Sequence, residues 1–353
     1  MLSKKFNRIN HYSYSNTRVK AMKSKLLNKE ILDDIARLNN IPQILAVLLK
    51  TDYKENIEKY GNIEIETEMI DYSLNQSLSD AAEKLVRITP NPEKTIIESI
   101  VSKWDMYNIK LIIHAKATNK SYEEIKQLII KSKKIPDFAI KEALNQNSFY
   151  DTINELSSII PYKKLLTTVN EVYKKTSDIV KVEDTVDKYF FDEYSKIVPL
   201  IEKESKESAK IIKLDIEIRN ILMLIRAKKY DLDEAKLKEL LTQNGVTSIN
   251  NLIELYKASK NFKELIEGIT TFNLADIYKK YENPSLFDLE IYMKKIFFKK
   301  INSLIAHSVL SIGAIIEFYY LKDFEISILR ALINSKKYNL KDGEIMEMIE
   351  WRI

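Results

Sequence analysis

Apolar residues recur at intervals of three and four in three separate stretches of the chain, the spacing of a helix that faces a core. In the first stretch they are Met106, Ile109 and Ile113; in the second Ile218, Ile221 and Ile225; in the third Ile326, Leu329 and Ile333. Leu111, Ile112, Met223, Leu224, Ala331 and Leu332 widen the stripes until little is left for solvent. Each stretch therefore predicts the central helix of a packed unit. The stretches align without gaps from Asp105 to Ile129, Glu217 to Leu241 and Glu325 to Ile349. Their shared lysines, Lys116, Lys228 and Lys336, fall 112 and 108 residues apart. Copies so spaced tile a chain of 353 residues and predict three helical repeat units, 1–133, 134–245 and 246–353.

Within each copy the pattern predicts helix, turn, helix. Asp105, Glu217 and Glu325 open the first helix, where a carboxylate meets the positive end of the helix dipole. Lys116, Lys228 and Lys336 close it, where a cation meets the carbonyl end. Asn119, Asp231 and Asn339 then stand as N-caps of the second helix, with Glu234 completing a capping box and Asp342 approximating one. The apolar positions of that second helix are Ile125, Leu128 and Ile129; Leu237, Leu240 and Leu241; Ile345, Met348 and Ile349. Asn108 and Asn220 recur inside the apolar helix, and a buried amide needs partners. Each is expected to bond the backbone of a neighbouring loop rather than a ligand. His114 takes the place of Arg226 and Asn334, which predicts a helix-surface position. A weaker echo begins at Asn40 and again at Asn261, with a middle counterpart from Tyr162. Residues 63–69 alternate like a strand and stay open between strand and helix.

Composition narrows the class. Five glycines and seven prolines are too few for a fold rich in tight turns or phosphate loops, and the expected class is all-α. The absence of cysteine excludes disulfides and thiolate metal sites. The opening residues lack the apolar core of a signal peptide. The longest apolar run, Ile305 to Leu321, is slightly short for a bilayer span and carries His307 and Glu317, which predicts a buried core helix. Together these predict a soluble, intracellular protein. Net charge is only +5 with both signs interspersed, unlike the concentrated basic face of a nucleic-acid module.

No catalytic constellation is legible. Gly61, Gly245, Gly268, Gly313 and Gly343 are isolated, so no GxxxxGK[ST] loop cradles a phosphate. His11, His114 and His307 are far apart, and no GxSxG elbow occurs. The expectation is no catalytic residue, no cofactor, no metal, no nucleotide hydrolysis, no small-molecule substrate and no nucleic-acid partner. Two basic stretches could meet a polyanion, lipid headgroups or a partner: Lys131, Lys133 and Lys134 in KSKK, and Lys294, Lys295, Lys299 and Lys300 in KKIFFKK. Solvated helix faces flanking core phenylalanines are the preferred reading of both.

The segment Tyr12 to Leu27 carries Tyr12, Tyr14, Asn16, Arg18, Val19, Lys20, Met22, Lys23, Ser24, Leu26 and Leu27, followed by Thr51–Asp52–Tyr53. This order resembles the opening of the C-subunit family of A/V-type (archaeal-type) ATPases, whose eukaryotic vacuolar equivalent is the d subunit. Asn108 to Lys116 and Asn220 to Lys228 continue the resemblance, and the third copy departs from it at Ile328 and Ser335. The resemblance implies a funnel-shaped all-α protein of three similar domains about a pseudo-threefold axis. It implies a non-catalytic central-stalk rotor component of an A/V-type ATPase or ATP synthase. Such a component is peripheral, at the cytoplasmic face of the cell membrane, and joins the proteolipid (K/c-type) ring to the D and F subunits to transmit torque. The rival reading is a helical-repeat scaffold or nucleic-acid-binding protein, against which the N-terminal motif argues.

Overall fold

The computed structural model describes residues 2–61, 63, 66–279, 284–305 and 311–338. In chain order the helices are α1 (Leu2–Lys23), α2 (Lys29–Arg37), α3 (Ile41–Leu48), α4 (Lys54–Lys59), α5 (Glu66–Ile88), α6 (Lys94–Val101), α7 (Lys103–Ala117) and α8 (Tyr122–Ile125). Then follow α9 (Asp137–Leu144), α10 (Phe149–Ile159), α11 (Lys163–Thr176), α12 (Ile179–Ser195), α13 (Val198–Glu204) and α14 (Lys206–Lys229). The last are α15 (Glu234–Leu240), α16 (Ile249–Ala258), α17 (Phe262–Gly268), α18 (Leu286–Ile305) and α19 (Ile312–Tyr338). Short 3-10 turns occupy Lys126–Leu128 and Leu274–Lys279. Among the described residues there is no strand, and the fold is all-α.

Helix starts follow local side-chain chemistry. Asn28, Asn40, Ser148, Ser205, Asp233, Ser248 and Asn261 each accept a bond from the backbone N–H three residues on, the usual N-cap geometry. Asn40 and Asn261, the heads of the predicted echo, therefore hold equivalent places. Their middle counterpart by this criterion is Ser148 rather than Tyr162, which lies beyond the end of α10.

The described chain divides into two compact units, residues 1–16 with 191–317, and 17–190 with 318–353. In the first, α14 packs chiefly on α18 and α13. In the second, α10 packs between α9 and α11, and α5 rests on α4, α6 and the turn at 126–128. The core helices α7 and α14 are apolar on most sides: Ile109, Ile112, Ile113, Ile221, Leu224 and Ile225 are fully enclosed. So are Leu329 and Leu332 of α19.

Two local expectations are decided, and a third lies outside the described residues. Glu66–Met69 open α5, so this part of the alternating segment is helical, while Ile63 is in neither helix nor strand and residues 64 and 65 lie outside the described set. The apolar run Ile305–Leu321 is interrupted at Ser311, which is not helical and precedes α19; residues 306–310, with His307, lie outside the described set. From Asn339 onward, including the predicted second helix of the third copy and Gly343, the chain also lies outside it.

Candidate functional site

Asp105 of α7, Glu217 of α14 and Glu325 of α19 are buried carboxylates, and each accepts bonds from donors at the two ends of a flanking helix pair. Asp105 accepts bonds from the Ser132 and Tyr162 hydroxyls. Glu217 accepts from Thr247 N at 3.0 Å, from the Thr247 hydroxyl and from Thr271 Oγ1 at 3.3 Å. Glu325 accepts from Leu27 N, from Tyr53 OH at 2.7 Å and from Lys322 Nζ at 3.0 Å. An ionised carboxylate this enclosed is tolerable only with such donors. In each case one donor precedes a helix pair and the other follows it: α9–α10, α16–α17 and α2–α3.

This corrects the expected role of two of the three acids. Asp105 is in the first turn of α7, but α14 begins at Lys206 and α19 at Ile312, so Glu217 and Glu325 lie mid-helix. Ser205 caps α14 well upstream, and Ile211, Ile212 and Ile216 extend its apolar face. The dipole argument fails there because the effect is confined to the first turn.

The amides behave as expected. Asn108 Nδ2 donates to Ile130 O at 2.6 Å while Ile130 N donates to Asn108 Oδ1 at 3.1 Å. Asn220 and Thr242 exchange the same two bonds, both at 2.8 Å. Each amide thus replaces the strand partner that a lone extended loop lacks. The lysines reach further than their own helix ends. Lys116 Nζ donates to Gln146 O, Lys228 Nζ to Tyr256 O at 3.3 Å, and Lys336 Nζ to Ala36 O at 3.1 Å. All three carbonyls lie at or just past the end of the first helix in the flanking pair.

Asn119 and Asp231 are not N-caps. Their φ angles of 55° and 50° are left-handed, and they terminate α7 and α14. The second helices are capped two residues later, by Ser121 in a capping box with Glu124 and by Asp233. Asn and Asp tolerate the left-handed region, so one residue type served two signals.

Gly245 marks the closest approach to a buried acid. A Cβ there would lie 2.8 Å from Glu217 Oε2 and 3.3 Å from Asn220 Nδ2. Both groups are enclosed and hydrogen-bonded, so neither can give way. Gly245→Ala is expected to destabilise the chain by about 1–3 kcal/mol, the range for overpacking. An unchanged urea midpoint would show that the carboxylate can move.

Burial pushes the Asp105 carboxyl above its ordinary range, against the opposing effects of the Ser132 and Tyr162 hydroxyls and of Lys134. A raised native value means the folded state holds the proton longer than the unfolded state. Stability from this group is complete below the unfolded carboxylate value of about 3.9 and is lost as pH rises through the native value. Asp105→Asn, which resembles the protonated form, removes that loss. The variant should gain on wild type as pH climbs from about 4, then hold a constant difference. Parallel urea-midpoint profiles across the series would refute this.

The two basic stretches occupy different settings. Lys131, Lys133 and Lys134 lie on the loop between the 126–128 turn and α9, not on a helix face. Lys133 pairs with Glu83 at 3.4 Å, and Lys134 lies 4.0 Å from Asp105 and over the Tyr162 ring. Lys294, Lys295, Lys299 and Lys300 lie on α18, whose Phe297 and Phe298 are buried. Lys294 pairs with Glu290 at 2.7 Å. Lys300 donates to Thr271 O at 2.8 Å, and burial lowers its pKa. Lys131 and Lys299 are exposed and form no ion pair among the described residues. His114 is exposed on α7, 3.5 Å from Glu183. No group of three potential metal ligands gathers among the described residues.

The sequence model of the ATP synthase (C/AC39) subunit family matches residues 15–348. The chain belongs to this family. Among curated proteins it is similar to the C subunit of the A-type ATP synthase of Methanocaldococcus jannaschii, with 24% identity over 96% of this chain and 86% of that protein. It is 27% identical to the A-type ATP synthase C subunit of Archaeoglobus fulgidus over 95% of this chain and 94% of the relative. The corresponding protein of Methanococcoides burtonii is 25% identical over 95% and 93%.

In this C/AC39 chain the N-terminal motif residues have structural work. Val19, Met22 and Leu27 are buried, and Tyr12 OH donates to Glu204 Oε2 at 3.0 Å. Tyr53, which ends the Thr-Asp-Tyr motif, and the Leu27 N–H are two of the donors on Glu325. Sequence reading missed Ser132, Thr247, Tyr162 and Thr271, the donors on the other two acids. Their hydroxyls recur at comparable offsets, but the residue types and the intervening loop lengths vary, so periodicity alone does not expose them.

Proposed function

We propose that this chain is the non-catalytic central-stalk component of an A/V-type rotary ATPase or ATP synthase. It joins the proteolipid (K/c-type) ring to the D–F shaft and passes torque between them. The family match over residues 15–348 carries this reading, together with relatives of nearly the same length named as C subunits of A-type ATP synthases. Torque transmission needs a stiff body, and the enclosed acids, amides and lysines that tie each central helix to its flanking pair suit that demand. No helix among the described residues is long and apolar enough to cross a membrane, so attachment at the cytoplasmic face would run through the ring.

Three repeat units are part of the proposal, with the predicted boundaries 1–133, 134–245 and 246–353 modified at one place. The bonds of Glu325 and Lys336 to Leu27, Tyr53 and Ala36 support assigning α2 and α3 to the third repeat. The ring contacts we propose are Lys131, Lys133, Lys134, Lys294, Lys295, Lys299 and Lys300. Lys131 and Lys299 are the strongest members, because Lys300 and Lys294 already have partners.

A single stalk protein gripping a ring of many identical copies cannot match its symmetry throughout, so those contacts should be few and polar. Exposed pairs are screened beyond about 10 Å at 0.1 M salt, whereas apolar contact with one shaft end is not weakened. Release from ring-only membranes should therefore rise steeply along an ionic-strength series while binding to isolated D–F persists. Ring binding that survives high salt while D–F binding is lost would reverse this division. Failure to bind either partner would sink the function itself.

A further inference from the structure

A cavity of about 590 Å³ opens between α5, α6, the start of α7 and the Lys131–Lys134 loop. Its volume falls within the rough 300–1,000 Å³ range of small-molecule sites. Its walls point to what it takes. Trp104, only 8% exposed, contributes its ring to one of them.

The deciding feature is charge. Lys84, Arg87, Lys94 and Lys131 line the same cavity and form no ion pair or side-chain hydrogen bond among the described residues. Lys84 and Lys94 are half-buried, where an unpaired cation is less well hydrated than at the open surface. Glu83 and Asp105 also line the cavity but are satisfied, by Lys133 and by the Ser132 and Tyr162 hydroxyls. That leaves Asp80 and Glu98 against four free cations.

We infer that this cavity binds a phosphate-bearing ligand. A single carboxylate would leave most of the cations uncompensated, whereas a phosphate group carries roughly −1.5 to −2 and three strong acceptor oxygens. Arg87 suits bidentate contact, and the lysines act as point charges. Bare phosphate would fill little of the volume, and Val86, Val101 and the Trp104 ring offer an apolar wall for an organic remainder. This inference does not depend on the rotary-stalk reading.

The phosphate can come from a free ester or from a lipid headgroup, and one reporter distinguishes them. The chain has two tryptophans, so Trp351→Phe leaves Trp104 as the sole indole emitter. The full chain in this background is titrated with pyrophosphate, with phosphatidylglycerol vesicles and with phosphatidylcholine vesicles. A saturable emission change with pyrophosphate indicates a free phosphate ligand. A change with phosphatidylglycerol vesicles alone indicates a headgroup. Either should weaken about tenfold or more when Arg87 and Lys94 are both replaced by alanine, as expected for losing charge-assisted bonds. Lys174→Ala with Lys175→Ala, the same charge change on exposed α11 positions, should leave it unaltered. No saturable change with any probe, equal weakening in both double variants, or an equal response to the two vesicle types would overturn the site.

Discussion

Replacing Glu325 with alanine is expected to unfold the region around α19 at far lower urea than wild type. The side chain is fully enclosed and accepts bonds from Leu27 N, Tyr53 OH and Lys322 Nζ. Its removal strands Lys322, itself only 8% exposed, beside a tyrosine hydroxyl 2.9 Å away. Breaking one side of a buried pair costs about 3–5 kcal/mol, a large part of the roughly 5–15 kcal/mol that holds a domain together. Adding Lys322→Met should recover part of the loss, because the stranded charge is then gone. Urea midpoints by circular dichroism give the magnitude. Limited proteolysis gives the location, with new cleavages within residues 17–190 or 318–338. Glu325→Ala matching wild type in midpoint and cleavage pattern would show that the acid is not structural.

Ile221→Asp should be as severe, with its damage in residues 191–305. Ile221 is fully enclosed on α14, beside the Asn220 amide that is already committed to Thr242. A carboxylate placed there has no donor to meet it, and the cost is about 3 kcal/mol or more. Lys228→Ala provides the scale. It removes one bond to Tyr256 O and a cation held 4.8 Å from the Tyr256 ring, and should cost about 1 kcal/mol. Two variants with the same midpoint would refute the assignment of Ile221 to the core.

The apolar stripes of α7, α14 and α19 were legible because enclosure of a helix leaves a period that no other element shares. Asn108 and Asn220 were legible for the complementary reason: a polar side chain inside such a stripe has to be satisfied nearby. What escaped was the ownership of contacts. Glu217 and Glu325 read as helix openers because a carboxylate before an apolar stripe looks the same whether the helix starts there or a dozen residues earlier. Asn119 and Asp231 misled because one residue type favours both a left-handed terminator and an N-cap. Of the cavity's lining only the Lys131–Lys134 stretch stood out in the sequence; Trp104, Arg87 and Lys94 come from segments that only the fold brings to it.

The bonds from Glu325 to Leu27 and Tyr53 join residues 298 and 272 positions apart, and Lys336 reaches Ala36 across 300. For a chain emerging from the ribosome, α2 and α3 are therefore made early and completed late. The Leu27 N–H, the Tyr53 hydroxyl and the Ala36 carbonyl wait for α19 before these bonds can form. At about 5–20 residues per second, that interval is on the order of 15–60 s, long compared with the sub-millisecond formation of a helix. Translation time therefore sets the earliest moment at which this part of the molecule can be completed.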